Sequence, residues 1–314
     1  ATRCLRMALT YGTTIVRGFA DVDNILGLMP VRAVLEVKRR LEQYMTLQVV
    51  AFPQEGIIHR DGVEELLWKA MEAGADVVGG IPFYEFTQED AKRHIDKVFE
   101  IAKHFNKDIH VLADVDDDPN SKNLQYLAVK TQRERYEGRV AASYCTSLAY
   151  YHDTYARKVI ELAAKANISV VSNPHLNLTA TGRPDRQPLK RGLTRVRELI
   201  DAGVNVTSGQ DDVDDPYYPF GKADMIEVGH YMAHTAQMTS ETQIDVVYDM
   251  ITKNGARALR IEDYGLQPGN RADLIVLDAR STIEAFRMMS ERTYVISSGE
   301  IVAENSVTRK VLVS

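Results

Sequence analysis

Five aspartates, Asp21, Asp114, Asp116, Asp211 and Asp212, fall at or just past the ends of short β-branched runs. Parallel barrels place their chemistry at strand ends. The two-residue period of a strand puts Asp21 on the side of Phe19 and Asp114 on the side of Leu112, so both can face a common mouth. Such a cluster can act as acid and base, or bind a hard cation such as Mg²⁺ through oxygen. A local reading competes: Asp114-Val115-Asp116-Asp117-Asp118-Pro119 also suits a solvated loop that caps the next helix.

Of eight histidines, His152 and His175 lie on loops that follow predicted strands. His175, in Ser172-Asn173-Pro174-His175-Leu176-Asn177, is the better candidate for a catalytic base, since imidazole titrates near neutrality. The alternative is a structural histidine. His110 opens a strand, and His230 and His234 share a helix face but lack the intervening glutamate of a zincin motif, so they read as helix surface. Cys4 and Cys145 are far apart, which fits a reducing cytoplasm, and Cys145 reads as a small buried hydrophobe before it reads as a nucleophile. Phe83, Tyr84, Tyr144, Tyr217 and Tyr218 could line a pocket that stacks on a flat ring, or belong to an ordinary core.

The elements that must position these residues follow one rhythm. Residues 13–20, 46–52, 77–81, 109–115, 140–144, 168–172 and 204–208 read as seven buried strands. Between them, apolar residues recur at helical spacing, as in Val34, Val37, Leu41 and Tyr44. Helices are predicted over 31–44, 62–72, 88–104, 121–136, 154–166 and 193–202, with a longer helical region over 223–258. Several stop at glycine or asparagine, for instance at Gly74, Asn167 and Gly203. Alternating strands and helices predict a (β/α)₈ barrel lacking one strand over residues 1–265, because an open parallel sheet would leave unpaired backbone at both edges. Residues 266–314 change character: 269–278 and 294–302 predict a small C-terminal β appendage with a Ser-Gly turn.

With 314 residues, 45% hydrophobic and 26% charged, the chain can bury one sizeable domain. A net charge of −6 and only short basic pairs, Arg39-Arg40 and Lys190-Arg191, argue against a nucleic-acid surface. No run reaches the roughly 18 to 20 apolar residues of a membrane span. The first residues carry no secretory h-region, so a cytoplasmic location is expected.

Five segments in register carry a resemblance: 49–56 (Val-Val-Ala-Phe-Pro-Gln-Glu-Gly), 74–82 (Gly-Ala-Asp-Val-Val-Gly-Gly-Ile-Pro), Asn173-Pro174, 191–196 (Arg-Gly-Leu-Thr-Arg-Val) and 209–221 around Gln210-Asp211-Asp212. With the Gly-Asn-Arg-Ala-Asp-Leu-Ile-Val-Leu-Asp run at 269–278, the chain resembles the amidohydrolase superfamily, in the branch of bacterial cytosine deaminase and N-isopropylammelide isopropylamidohydrolase. That resemblance implies a metal at the C-terminal mouth of the barrel, held by a His-x-His pair on the first strand, later single histidines and a last-strand aspartate. Imidazole and carboxylate suit the task because each aims a lone pair at about 2.0 to 2.2 Å from the ion.

By the same resemblance, this chain begins after the His-x-His strand. Leu112 and Tyr144 stand at the strand-five and strand-six histidine positions, Phe19 at another, Val115 near the acid-base glutamate, and Gln210 beside the metal-binding aspartate. Asp211 aligns with that aspartate and Gln54 with a substrate-contacting glutamine. We therefore expect no bound metal or other cofactor, because one carboxylate cannot replace three or four donors.

The expected activity is of the C–N hydrolase class, acting on or binding a small nitrogen heterocycle at a degenerate metal site. Asp211 and His175 are the catalytic candidates; Gln54, Glu55, Tyr144, Asp114 and Asp212 are the substrate contacts. A small heterocyclic ligand and self-association are expected, without nucleic acid or membrane. Two alternatives stay open: a non-catalytic paralogue that binds a ligand or an intact deaminase subunit, and a fragment or altered form of an active metal-dependent deaminase.

Overall fold

The computed structural model describes residues 1–187 and 192–312. Lys190-Arg191, and with them the first residue of the 191–196 motif, lie outside the described residues. Helix α1 (Thr2–Thr10) leads into β1 (Ile15–Asp21). The chain then alternates through α2 (Met29–Leu41), β2 (Thr46–Phe52), α3 (Val63–Glu72), β3 (Val77–Gly80), α4 (Gln88–Phe105), β4 (Asp108–Leu112), α5 (Asn123–Glu134), β5 (Val140–Ser143), α6 (Asp153–Lys165), β6 (Ser169–Ser172), α7 (Pro174–Ala180), α8 (Val196–Asp201) and β7 (Val206–Ser208). Helices α9 (Met225–Thr235), α10 (Glu241–Met250) and α11 (Lys253–Ala258) follow, then β8 (Leu274–Leu277), α12 (Thr282–Met288), β9 (Arg292–Ser297) and β10 (Glu300–Glu304).

All seven predicted strands form one parallel sheet in the order β1-β2-β3-β4-β5-β6-β7. Its two faces follow strand alternation. Val49, Ala51, Val78, Ile109, Val111, Val140, Ala142, Val170 and Val206 pack outward in the main core with the helices. Val50, Phe52, Val77 and Ile81 form a second cluster on the inner face, with Phe83, Leu112 and Val115 against it. Among the described residues β1 and β7 do not pair, so each is a sheet edge. The β7 edge is partly covered, since Asn254 Nδ2 donates to the Val206 carbonyl at 2.9 Å and Thr207 Oγ1 to the Met250 carbonyl at 2.6 Å.

Helix α4 shows how sequence sets these elements. Thr87 accepts the Asp90 N–H as N-cap, Glu89 and Asp90 occupy the first turn, Lys103 and His104 the last, and Asn106 closes the helix in the left-handed region. Its Ile95, Val98, Phe99 and Ala102 are buried at helical spacing.

Three expectations change. Strand β4 stops at Leu112, short of residue 115, because Asp114 turns to cap α5. The 223–258 region divides into α9, α10 and α11: Gln237 takes φ +55°, and Ser240 with Gln243 begins a new helix through a capping box. The C-terminal sheet runs β10-β9-β8, with α12 inserted between β8 and β9 and a Ser298-Gly299 turn, both at positive φ, joining β9 to β10. Among the described residues no helix is long and apolar enough to cross a membrane.

Candidate functional site

Three adjacent strand ends meet in one hydrogen-bonded group. After β5, Tyr144 and Cys145 both adopt positive φ, +68° and +51°, a sharp bend that is costly for side chains with a Cβ. The Tyr144 amide still bonds the Val171 carbonyl, at 2.9 Å, so the bend occurs within the sheet's own ladder. After β6, Asn173 precedes α7 and donates from Nδ2 to Asp211 Oδ2 at 3.0 Å. After β7, Gly209 passes so close that a Cβ there would fall 2.6 Å from Asn173 Oδ1. Asp211 follows at φ +65°, and its Oδ2 also accepts the Tyr144 hydroxyl.

Residue 211 is exposed at the rim, yet its carboxyl is sunk between Tyr144 and Asn173. Burial raises it to about 6, against the lowering effect of those two donors. Asp212 is pushed up to about 8, first by burial and then by the charges of Asp211 and Asp215. Burial, with Asp211 next to it, drives the Tyr144 phenol well above its usual range, so it remains a neutral donor. Burial and the repulsion between the two charges therefore disfavour ionising both carboxyls at once, the arrangement that acid and base chemistry uses.

A second group lies at the ends of the first strands. The Gln54 side chain, Glu55 and Tyr217 all lie in electrostatic range of the Tyr84 hydroxyl. Phe19, 37% exposed, lies edge-on to Phe52 and His110 at ring separations of 5.1 and 4.9 Å. Burial keeps His110 neutral; its Nε2 is 2.7 Å from Ser143 Oγ.

Several sequence candidates are placed elsewhere. Asp114 is fully buried, and its carboxylate accepts Ser121 Oγ and the Asn123 and Leu124 amides, so it caps α5 and does not line the mouth. His175 is walled in by Tyr218 and Tyr231, with Nε2 3.6 Å from Glu227, and is not among the hydrogen-bond partners of Asp211. It lies at the start of α7 beside α9, and both of its ring nitrogens are buried without a hydrogen-bond partner among the described residues. Glu55 pairs with Arg60 at 3.0 Å. Asp116 accepts the Asp118 amide in its own loop. Asp21 is raised by burial and by the charges of Asp23 and Glu55. Asn173, seen in the sequence as part of a motif, turns out to be a direct partner of Asp211.

The residues at the family's ligand positions do not fit a zinc or iron ion. Leu112 and Phe19 offer no donor, Tyr144 is a neutral phenol, and the Gln210 carboxamide is buried with neither Oε1 nor Nε2 hydrogen-bonded. Asp211 is the one carboxylate in the set. Among the described residues no three His, Cys, Asp or Glu side chains come together in a way that could hold a metal.

A seven-stranded parallel sheet with its polar group at the C-terminal strand ends is the layout of a barrel-type α/β scaffold. The sequence profile of the amidohydrolase family matches residues 6–303, and the chain belongs to that family. It is 30% identical to N-isopropylammelide isopropyl amidohydrolase of Pseudomonas sp. (strain ADP), over 96% of this chain and 72% of that one. It is 28% identical to pterin deaminase of Rhizobium rhizogenes, over 95% of this chain and 68% of that one. Among solved structures, 5-methylcytosine deaminase from Klebsiella pneumoniae liganded with 5-fluorocytosine superposes with a TM-score of 0.95 at 34% identity, covering 98% of this chain and 75% of that one.

Proposed function

We propose that the mouth takes a small, flat nitrogen heterocycle carrying an exocyclic amino or amide group, within the C–N hydrolase class of the family, at a site whose metal-ligand positions have been replaced. The observation that carries this reading is the Asp211 carboxyl held from two strands. Tyr144 and Asn173 both donate to Oδ2, which leaves Oδ1 as the oxygen for a ligand N–H in the bound state or for the reacting water in turnover. Gln54 supplies one donor and one acceptor suited to an amide-like ring edge. Phe19 and Tyr84 supply flat apolar surface for the ring.

Turnover in such a site is acid–base chemistry by the two aspartates. Water bonds to the amino-bearing carbon while Asp211 takes its proton and passes it to the ring nitrogen. Asp212 protonates the departing amine, the C–N bond breaks, and the new hydroxyl returns its proton to Asp212 as the carbonyl forms. Supporting this reading are the split acidities of the pair and the relatives named above. The gap between β7 and β1 is the place for an eighth strand that would complete the barrel, and a cytoplasmic location goes with this reading.

The test is calorimetric titration with 5-fluorocytosine, together with metal analysis of protein purified without chelators. We expect measurable binding that Asp211→Asn weakens at least about tenfold, as loss of a charged hydrogen bond would. One tightly bound zinc or iron per chain would sink the metal-free reading, and undiminished binding by Asp211→Asn would sink the anchor.

A further inference from the structure

The most heavily hydrogen-bonded carboxylate among the described residues lies outside the Asp211 group. Glu85 follows the short turn Pro82–Tyr84 at the end of β3, and its side chain is fully buried. Its Oε1 accepts the Ile57 amide at 2.7 Å, the Ile58 amide at 3.0 Å and His94 Nδ1 at 2.7 Å. Its Oε2 accepts the His59 amide at 3.2 Å and His59 Nδ1 at 2.8 Å.

The proton positions follow from the partners. The Ile81 amide donates to His94 Nε2 at 3.0 Å, so the proton of this imidazole sits on Nδ1 and points at Glu85. Burial keeps His94 neutral. Burial alone would raise Glu85, but the bonds from His94, Ile58, His59 and Ile57 outweigh it and hold the carboxyl well below the usual range. Five donors thus surround one buried anion.

What the carboxylate holds is the loop that carries Gln54. The segment 56–59 wraps around Glu85, and Gly56, at φ +89°, makes this possible: a Cβ there would lie 2.6 Å from His59 Cε1 and 3.1 Å from Glu85 Oε1. Gln54 stands two residues before the wrapped segment. Tyr84, whose hydroxyl lies in electrostatic range of Gln54, stands one residue before Glu85. The loops that follow β2 and β3, which carry Gln54 and Tyr84, are therefore both anchored to a single side chain.

We propose that Glu85 is a positioning residue that sets Gln54 and Tyr84 at the mouth for the ligand's polar edge. The inference rests on the reading of Gln54 as a ligand contact given above. The experiment is a double-mutant cycle on the full chain, with 5-fluorocytosine affinity measured for Glu85→Gln, Gln54→Ala and the double variant, alongside the side-chain amide NMR signal of Gln54, assigned by its loss in Gln54→Ala. Glu85→Gln is expected to displace that signal and weaken binding about tenfold, with no further loss in the Gln54→Ala background. Additive losses, or a Gln54 signal unmoved by Glu85→Gln, overturn the proposal, because a merely structural role is blind to Gln54. If Glu85→Gln does not fold, His59→Phe, which removes one side-chain donor and keeps the backbone bonds, is read through the same cycle. A displaced signal in a protein that fails to bind 5-fluorocytosine leaves the positioning role standing and defeats the ligand reading alone.

Discussion

The hydroxyl of Tyr144 donates to Oδ2 of Asp211, joining the end of β5 to the end of β7, and Asn173 from the end of β6 donates to the same oxygen at 3.0 Å. Three strands that are separate in sequence by some thirty residues each converge on one carboxyl. Tyr144 stands where the family resemblance places a metal-binding histidine, so the same position now serves as a hydrogen-bond donor.

Removing that donor has a defined direction. The Tyr144 bond favours the charged form of Asp211, so Tyr144→Phe should move the carboxyl above its present value of about 6. A rise of about one unit is expected, since such a bond is worth roughly 1.5 to 3 kcal/mol between charged and neutral forms. The pH midpoint of 5-fluorocytosine binding measures it. Binding to the carboxylate strengthens as pH rises through about 6 in the parent protein and through a higher pH in the variant.

Stability should carry the opposite pH signature. Asp211 and Asp212 are acids whose values in the folded state are raised, to about 6 and about 8, above the ordinary carboxylate range. The folded chain therefore holds their protons more tightly than the unfolded chain, and stability is lost as pH rises from about 4 toward 8. Asp211→Asn removes part of this dependence. Thermal midpoints recorded across that range should fall less steeply for the variant than for the parent, and equal slopes would count against the raised carboxyl.

Asp114 should behave as a structural residue. Its buried oxygens hold the first turn of α5 through Ser121, Asn123 and Leu124. Asp114→Ala is expected to lower unfolding stability by about 1 to 2 kcal/mol in denaturant titration, the usual range for a lost cap. The affinity of the folded fraction for 5-fluorocytosine should stay unchanged.

Helix α9 meets α12 through a glycine. A Cβ on Gly229 would fall 2.4 Å from Phe286 Cε1 and 2.8 Å from Cζ, and Phe286 is itself buried. Gly229→Ala should cost about 1 to 3 kcal/mol by overpacking. Phe286→Leu in the same chain should recover part of the loss, which chemical denaturation of the three variants would show.

Much of the scaffold was legible because its signals are local. The seven strands announce themselves as β-branched runs, and the intervening helices by apolar spacing and capping residues such as Thr87 and Asn106. Helix α12 was not legible, lying inside a stretch that reads as strand and turn. Gln54, Tyr144, Asp211 and Asp212 were found by their places on the resemblance. Asn173 was seen only as a motif residue, and His59 was passed over although it lies on the loop after β2. The Glu85 group was invisible because its members, 26 and 9 residues apart, are joined by hydrogen bonds that no short-range pattern encodes.

Sequence by itself determined the alternation of strands and helices, the family, and which residue types stand at the ligand positions, because side-chain identity and periodicity are written in the chain. The tertiary structure decided direction. Asp114 and Asp211 both follow strands, yet one carboxyl turns to a helix N-terminus and the other is drawn toward the ends of β5 and β6. That choice depends on which donors the fold brings within about 3 Å, a distance set by packing between segments remote in sequence.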